Sequence, residues 1–142
     1  MLKRTATAEW KGGIKSGSGQ VSTESKTLDH GYDFAKRFEQ EKTTNPEEML
    51  GASHASCFSM AFSGGLEGAG YPAESIHTED TVHLEKQGEG FVITQIDIHT
   101  EAKVPGIDEQ TFQQEAQKAK ENCPISLALK GVTLNLNAKL KS

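Results

Sequence analysis

This 142-residue chain is poor in cysteine, proline and tryptophan, with two, four and one of them. Two cysteines, at positions 57 and 123, are too far apart for a Cys-x-x-Cys metal clip or a thioredoxin-type dithiol, so any joint chemistry depends on the fold bringing them together. A disulfide is not needed for stability, because a domain of this size hides roughly 68–70% of its unfolded surface. An excess of one charge is also missing. The net charge is −5 with acids and bases interspersed, which argues against nucleic acid or an anionic membrane as partner. No long hydrophobic run is present either. Met49 to Leu66 carries no Asp, Glu, Lys or Arg, but four serines, His54 and three glycines make it too polar for an apolar span of about 20 residues. The N-terminus, Met1-Leu2-Lys3-Arg4-Thr5, has no apolar segment of the kind that marks a secretory signal. The glycines at 12, 13, 17 and 19 lack the strand-to-helix context and Lys-Ser/Thr of a phosphate cradle, and no serine-hydrolase elbow occurs. These absences lead to the expectation of a single domain, 1–142, in the cytoplasm, where a cysteine pair is more often transient and catalytic than a permanent staple.

What is there reads as strands, helix, strands, helices, strand. Lys3 to Trp10 and Gln20 to Ser25 form a hairpin pair around the glycines, and Phe34 to Phe38 is a further short strand or ordered loop. Asn45-Pro46-Glu47-Glu48 gathers a cap, a first-turn proline and acids, so a helix starts near residue 46. It is small or apolar on nearly every face through Phe62, as expected of a central helix packed on both sides, before Gly64-Gly65 weaken it and Gly70-Tyr71-Pro72 end it. Ile76, Thr78, Val82 and Leu84, then Phe91, Ile93, Ile96 and Ile98, flank Gln87-Gly88-Glu89-Gly90 as a hairpin. Asp108 caps a second helix to about Glu121, Asn122-Cys123-Pro124 starts a short third one, and Val132 to Leu140 alternates as a strand. The fold class is α+β with mostly antiparallel sheet.

Cys57 sits within the first helix, where a small buried hydrophobe is the plainest role for a cysteine. Cys123, before a proline in a helix's first turn, meets unpaired backbone N–H groups that favour its thiolate. Cys57 has no such help and needs a nearby cation to ionise at neutral pH. His54, three residues earlier on the same face, allows a Cys-His pair, part of a thiolate-imidazole metal site, or a satisfied core histidine. A zinc site needs four ligands, and beyond these three only the scattered His30, His77, His83 and His99 remain. His77, His83 and His99 fall on strands among polar residues and read as exposed.

Asn45-Pro46-Glu47-Glu48-Met49-Leu50-Gly51-Ala52, then His54-Ala55-Ser56-Cys57-Phe58-Ser59-Met60-Ala61, with Asn122-Cys123-Pro124 downstream, resemble the OsmC/Ohr family of osmotically inducible and organic-hydroperoxide-resistance thiol peroxidases. Ala8-Glu9-Trp10, Val21-Ser22-Thr23-Glu24-Ser25, Val104-Pro105-Gly106-Ile107 and Leu140-Lys141-Ser142 extend the likeness over nearly the whole chain. His54 and Arg37-Phe38-Glu39 resemble the osmotically inducible branch. The resemblance implies an intertwined homodimer of sheets wrapped around central helices, and an organic hydroperoxide substrate. It implies Cys57 as peroxidatic thiol, Cys123 as resolving thiol, Arg37 as the cation that favours the Cys57 thiolate, and Glu47 as the carboxylate that holds Arg37. It implies no cofactor and no metal, only an external dithiol or lipoyl-type reductant. Without it, Arg37 and Glu47 read as a surface charge and a helix-start acid.

Glu47 and Cys57 lie about 15 Å apart along a continuous helix. Within one chain they share a site only if the helix starts late or bends; otherwise two subunits pack with these helices antiparallel, which places the site at the subunit interface. Two other classes of function compete: a binding protein in which Cys57, His54 and Cys123 hold a metal or apolar ligand, and a structural stress protein whose cysteines merely pack.

Overall fold

In a computed structural model, which describes residues 1–38 and 43–142 and only the backbone of Lys36 and Arg37, the chain divides into two units, Met1–Met49 and Leu50–Ser142. The first unit is an antiparallel meander of β1 (Ala6–Lys11), β2 (Ser18–Thr23) and β3 (Asp29–Tyr32), followed by a 3-10 turn, Ala35–Phe38. Gly19 pairs with Trp10 on one side and Tyr32 on the other, and those two rings meet at 5.6 Å between centroids. A Cβ at Gly19 would lie 2.6 Å from the Tyr32 ring, so the middle strand needs glycine there. The hairpin expected from the sequence is present, but β3 was not foreseen. Asp29-His30-Gly31-Tyr32 has no apolar alternation and becomes a strand by pairing with β2.

Helix α1 (Pro46–Gly68) opens with Asn45 capping the Glu48 N–H through its side chain at 2.7 Å. It runs through Gly64 and Gly65, six residues beyond Phe62, because Phe62 and Leu66 anchor it to the core on either side of the glycines. It ends where Gly70, at φ +92°, allows a Schellman closure: Tyr71 N–H donates to Leu66 O at 2.9 Å and Gly70 N–H to Glu67 O at 3.0 Å. The expectation of packing on both sides is not met within one chain. Gly51, His54, Phe58, Phe62 and Leu66 form a buried stripe, whereas Ala52, Ser53, Ser56, Met60 and Ser63 are exposed, Met60 at 77%.

In the second unit β4 (Ser75–Gln87) and β5 (Gly90–Lys103) form the long hairpin, its turn made by Gly88 at φ +63°, with a bulge at His83/Leu84. Asp108 caps α2 (Glu109–Asn122), accepting from the Thr111 N–H at 2.9 Å. Then come α3 (Pro124–Ala128) and β6 (Thr133–Lys141). The strand β6 returns parallel to β5, because α2 and α3 carry the chain back to the starting end of the sheet. The sheet is therefore mixed, while the other strand pairings among the described residues are antiparallel.

Ile96, Ile98, Thr100 and Ala102 of β5 point inward at every second position, as strand geometry requires. They meet Phe58, Phe62 and Leu66 of α1 and Phe112, Ala116 and Ala119 of α2 in one core. Phe62 lies 5.7 Å from Phe58 and 5.3 Å from Phe112 between ring centroids. Each such fully buried side chain contributes about 1.5–3 kcal/mol. This packing sets α1 against the sheet and brings α2 and α3 alongside it.

Candidate active site

Cys123 is both the residue that ends α2 and the one that begins α3. Its N–H donates to Ala119 O at 3.0 Å, and its sulfur accepts from the Ser126 N–H at 3.3 Å. Asn-Cys-Pro enforces this double duty, since proline suits the first turn of α3 but cannot continue α2. The Cys123 side chain is fully buried, and its thiol lies close enough to Cys57 to influence that thiol's ionisation.

Cys57 is half-buried and unbridged. Burial is the largest influence on its thiol and pushes the pKa above the ordinary 9.0. The Ile125 backbone N–H, in the first turn of α3, donates to the sulfur and pulls it back down, and the Cys123 thiol adds to the rise. Phe58 turns into the core and Met60 points outward, because residues two apart on a helix lie on opposite faces.

His54 is buried with no exposed surface, and both ring nitrogens are engaged. Nδ1 is held by the carboxylate of Asp80, whose side chain is also buried, and Nε2 lies 2.8 Å from Ser126 Oγ. The same Ser126 hydroxyl is 3.0 Å from Cys123 Sγ. Neither Asp80 nor Ser126 was singled out from the sequence. The signal for Asp80 was present: it occupies the inward position between Thr78 and Val82 on β4, where an acid breaks the apolar alternation. Ser126 stands three residues after a helix cap, the spacing at which a side chain returns to the capping residue.

Among the described residues no group of three or more His, Cys, Asp or Glu is placed to hold a metal ion. A metal at His54 would have to displace Asp80 or Ser126. His77 and His99 are exposed as expected, whereas His83 is half-buried with Nε2 2.7 Å from Asp97. Glu47 is buried in the first turn of α1, and Arg37 lies in the 3-10 turn with its side chain outside the described residues, as is all of Glu39 to Lys42.

The family model described as OsmC-like protein covers residues 39–137. The chain belongs to the OsmC-like family. It is 49% identical over 142 residues to the Peroxiredoxin OsmC of Escherichia coli K12, with 99% of each chain covered. It is 30% identical over 122 residues to the Organic hydroperoxide resistance protein-like 1 of Staphylococcus saprophyticus, covering 84% of this chain and 86% of that one. A solved structure of an organic hydroperoxide resistance protein from Elizabethkingia anophelis matches the fold with a TM-score of 0.79 at 22% identity, with 99% of each chain covered. Full-length identity to the Escherichia coli protein carries the enzyme class as well: a cysteine-based peroxidase of the peroxiredoxin type, in stress defence. Among the described residues no helix is long and apolar enough to cross a membrane.

Proposed function

We propose that this OsmC-like chain reduces organic hydroperoxides, and hydrogen peroxide more weakly, to alcohols or water, acting as one domain in a cytoplasmic homodimer during oxidative and osmotic stress. The Cys57 thiolate attacks the distal peroxide oxygen, the O–O bond breaks, and an alcohol leaves while Cys57 becomes a sulfenic acid. Cys123 condenses with it, releasing water and forming a disulfide. A dithiol or lipoyl-type thiol then attacks at Cys57 and restores both thiols. No cofactor enters the cycle.

The approach of the Cys123 thiol to Cys57 carries this reading, since these are the two groups that a sulfenic acid and its resolution require. Burial raises the Cys57 thiol, and neither influence beside it, the Ile125 N–H and the Cys123 thiol, is a cation. Arg37 is the proposed source of that charge, stabilising the thiolate and polarising the departing oxygen, with Glu47 holding the guanidinium by a bidentate pair. Because α1 is unbroken from Pro46, the helical rise of about 15 Å between Glu47 and Cys57 favours an arrangement in which a second copy supplies Arg37 and Glu47. The exposed face of α1, from Ala52 to Ser63, is where an antiparallel partner helix would lie.

One equivalent of cumene hydroperoxide added to the reduced protein tests the cycle by thiol count and mass spectrometry. The expected result is loss of both thiols in the wild type, no peroxide consumption in Cys57→Ser, and a trappable sulfenic acid in Cys123→Ser. Survival of both wild-type thiols would overturn the peroxidase cycle.

A further inference from the structure

The peroxidase cycle uses Cys57, Cys123, Arg37 and Glu47, and leaves a buried polar line unexplained. Asp80 of β4, His54 of α1 and Ser126 of α3 are drawn from three separate elements and end on Cys123. The side chains of His54 and Asp80 are 0% and 1% exposed, and Ser126 is 6% exposed. The second carboxylate oxygen of Asp80 is buried without a hydrogen-bond partner among the described residues, so the imidazole is what compensates this acid for leaving water. Core packing alone would be served as well by apolar side chains of similar volume.

The order of donors follows from the chemistry of each group. An ionised carboxylate only accepts, so when the imidazole carries a single proton the Asp80 side chain fixes it on Nδ1. Nε2 then presents a lone pair and accepts from the Ser126 hydroxyl at 2.8 Å. With its proton committed to His54, Ser126 Oγ offers a lone pair to the Cys123 S–H at 3.0 Å. The line points one way, from the thiol toward the imidazole. The Ser126 N–H donates to the same sulfur at 3.3 Å and favours the thiolate that remains.

We propose that Ser126, backed by His54 and Asp80, removes the proton of Cys123 as its sulfur attacks the Cys57 sulfenic acid. This rests on the proposed peroxidase cycle and deepens its second step. The Cys123 proton passes to Ser126 Oγ while the Ser126 proton passes to His54 Nε2, which leaves an imidazolium against the Asp80 carboxylate. The freed electron pair of Cys123 forms the S–S bond to Cys57, and the Cys57 S–O bond breaks, its pair leaving on hydroxide. That hydroxide takes up one proton to become water, which balances the proton that His54 releases when the line resets. The Cys57 sulfur is reduced and the Cys123 sulfur oxidised to the disulfide level, with no outside oxidant. When a reductant thiol later attacks at Cys57, the same line returns a proton to the departing Cys123 sulfur. Ser126 touches the reacting sulfur; His54 and Asp80 are positioning residues that act through it.

Rapid mixing of reduced protein with one equivalent of cumene hydroperoxide separates the two steps, with dimedone-trapped sulfenic acid and disulfide both counted by mass. In Ser126→Ala and His54→Gln the sulfenic acid is expected at the wild-type rate, while disulfide formation falls by about 10²-fold. In Ser126→Ala the disulfide rate should also rise about tenfold per pH unit from pH 6 to 8, as the thiol comes to depend on hydroxide, against a flatter wild-type profile. Disulfide formation within twofold of wild type, with the same pH profile, in a folded Ser126→Ala protein would overturn the relay while leaving the peroxidase cycle intact. A wild type that forms no sulfenic acid would remove the cycle and the relay with it. If both variants lose their near-ultraviolet circular dichroism, the wild-type disulfide rate in D2O decides: a slowing of about twofold or more supports the relay, and none overturns it.

Discussion

His54 Nε2 stands 2.8 Å from Ser126 Oγ, joining the third turn of α1 to the first helical residues after Cys123. The ring also holds Asp80 of β4, so one imidazole sets the spacing of three elements around the two thiols. Removing it strands an acid. His54→Leu should therefore destabilise the fold by about 3–5 kcal/mol, since the Asp80 carboxylate is left buried without its partner. The double variant His54→Leu with Asp80→Leu should recover most of that loss. Urea unfolding of the two variants and the wild type measures the difference, and equal loss in single and double variants would contradict it.

The Cys57 thiol makes the fold sensitive to alkali. Its folded pKa lies above the unfolded value because burial disfavours the thiolate, so the folded chain holds this proton more tightly. Its contribution to stability is complete below the unfolded pKa and is lost as pH rises through the raised folded value. Under reducing conditions and with the proposed cation removed, the melting temperature of Arg37→Ala should fall more steeply than that of Arg37→Ala with Cys57→Ala between about pH 8.5 and 10. Parallel curves would mean that burial does not govern this thiol.

Phe62 is the central ring of the core, fully buried and packed at tilted angles between Phe58 and Phe112. Phe62→Ala should lower the unfolding free energy by about 3–5 kcal/mol, through lost transfer energy and a cavity between α1 and α2 that neither helix can close. At the end of the same helix, Gly70→Ala should cost about 1–2 kcal/mol, because φ +92° is open to glycine and strained for alanine. Denaturant midpoints read both, and a Gly70→Ala variant as stable as wild type would show that the Schellman closure is not required.

Legibility in the sequence followed local signals. Asn45-Pro46-Glu47, Asp108 and the alternation from Thr133 to Lys141 place the starts of α1 and α2 and the last strand, because caps and period-two patterns act over a few residues. Strand β3 has no such pattern and exists through its pairing with β2. Gly64 and Gly65 read as weak points but lie inside α1, since tertiary packing of Phe62 and Leu66 outweighs propensity, and the helix closes at Gly70, as the sequence indicates. Cys57 and Cys123 could be named from the sequence, and their contact could not. Asp80 falls at an inward position of β4 in the sequence, but its pairing with His54 depends on packing β4 against α1, which is a relation of tertiary structure.

A shared site between two subunits makes a sharper prediction than either thiol alone. If Arg37 and Glu47 of one copy serve Cys57 and Cys123 of the other, the chains of a mixed dimer can complement each other. Cys57→Ser retains a good Glu47, and Glu47→Gln retains both thiols. Paired across a two-fold axis, they assemble one intact site and one doubly defective site. Random mixing places half the chains in such dimers, so two proteins that are each inactive should together regain about a quarter of the wild-type hydroperoxide reductase activity. Refolding the two variants together and assaying cumene hydroperoxide consumption measures this. If every site is built within one chain, the mixture stays as inactive as its parts, because no exchange of partners can bring Glu47 and Cys57 of the same polypeptide back together.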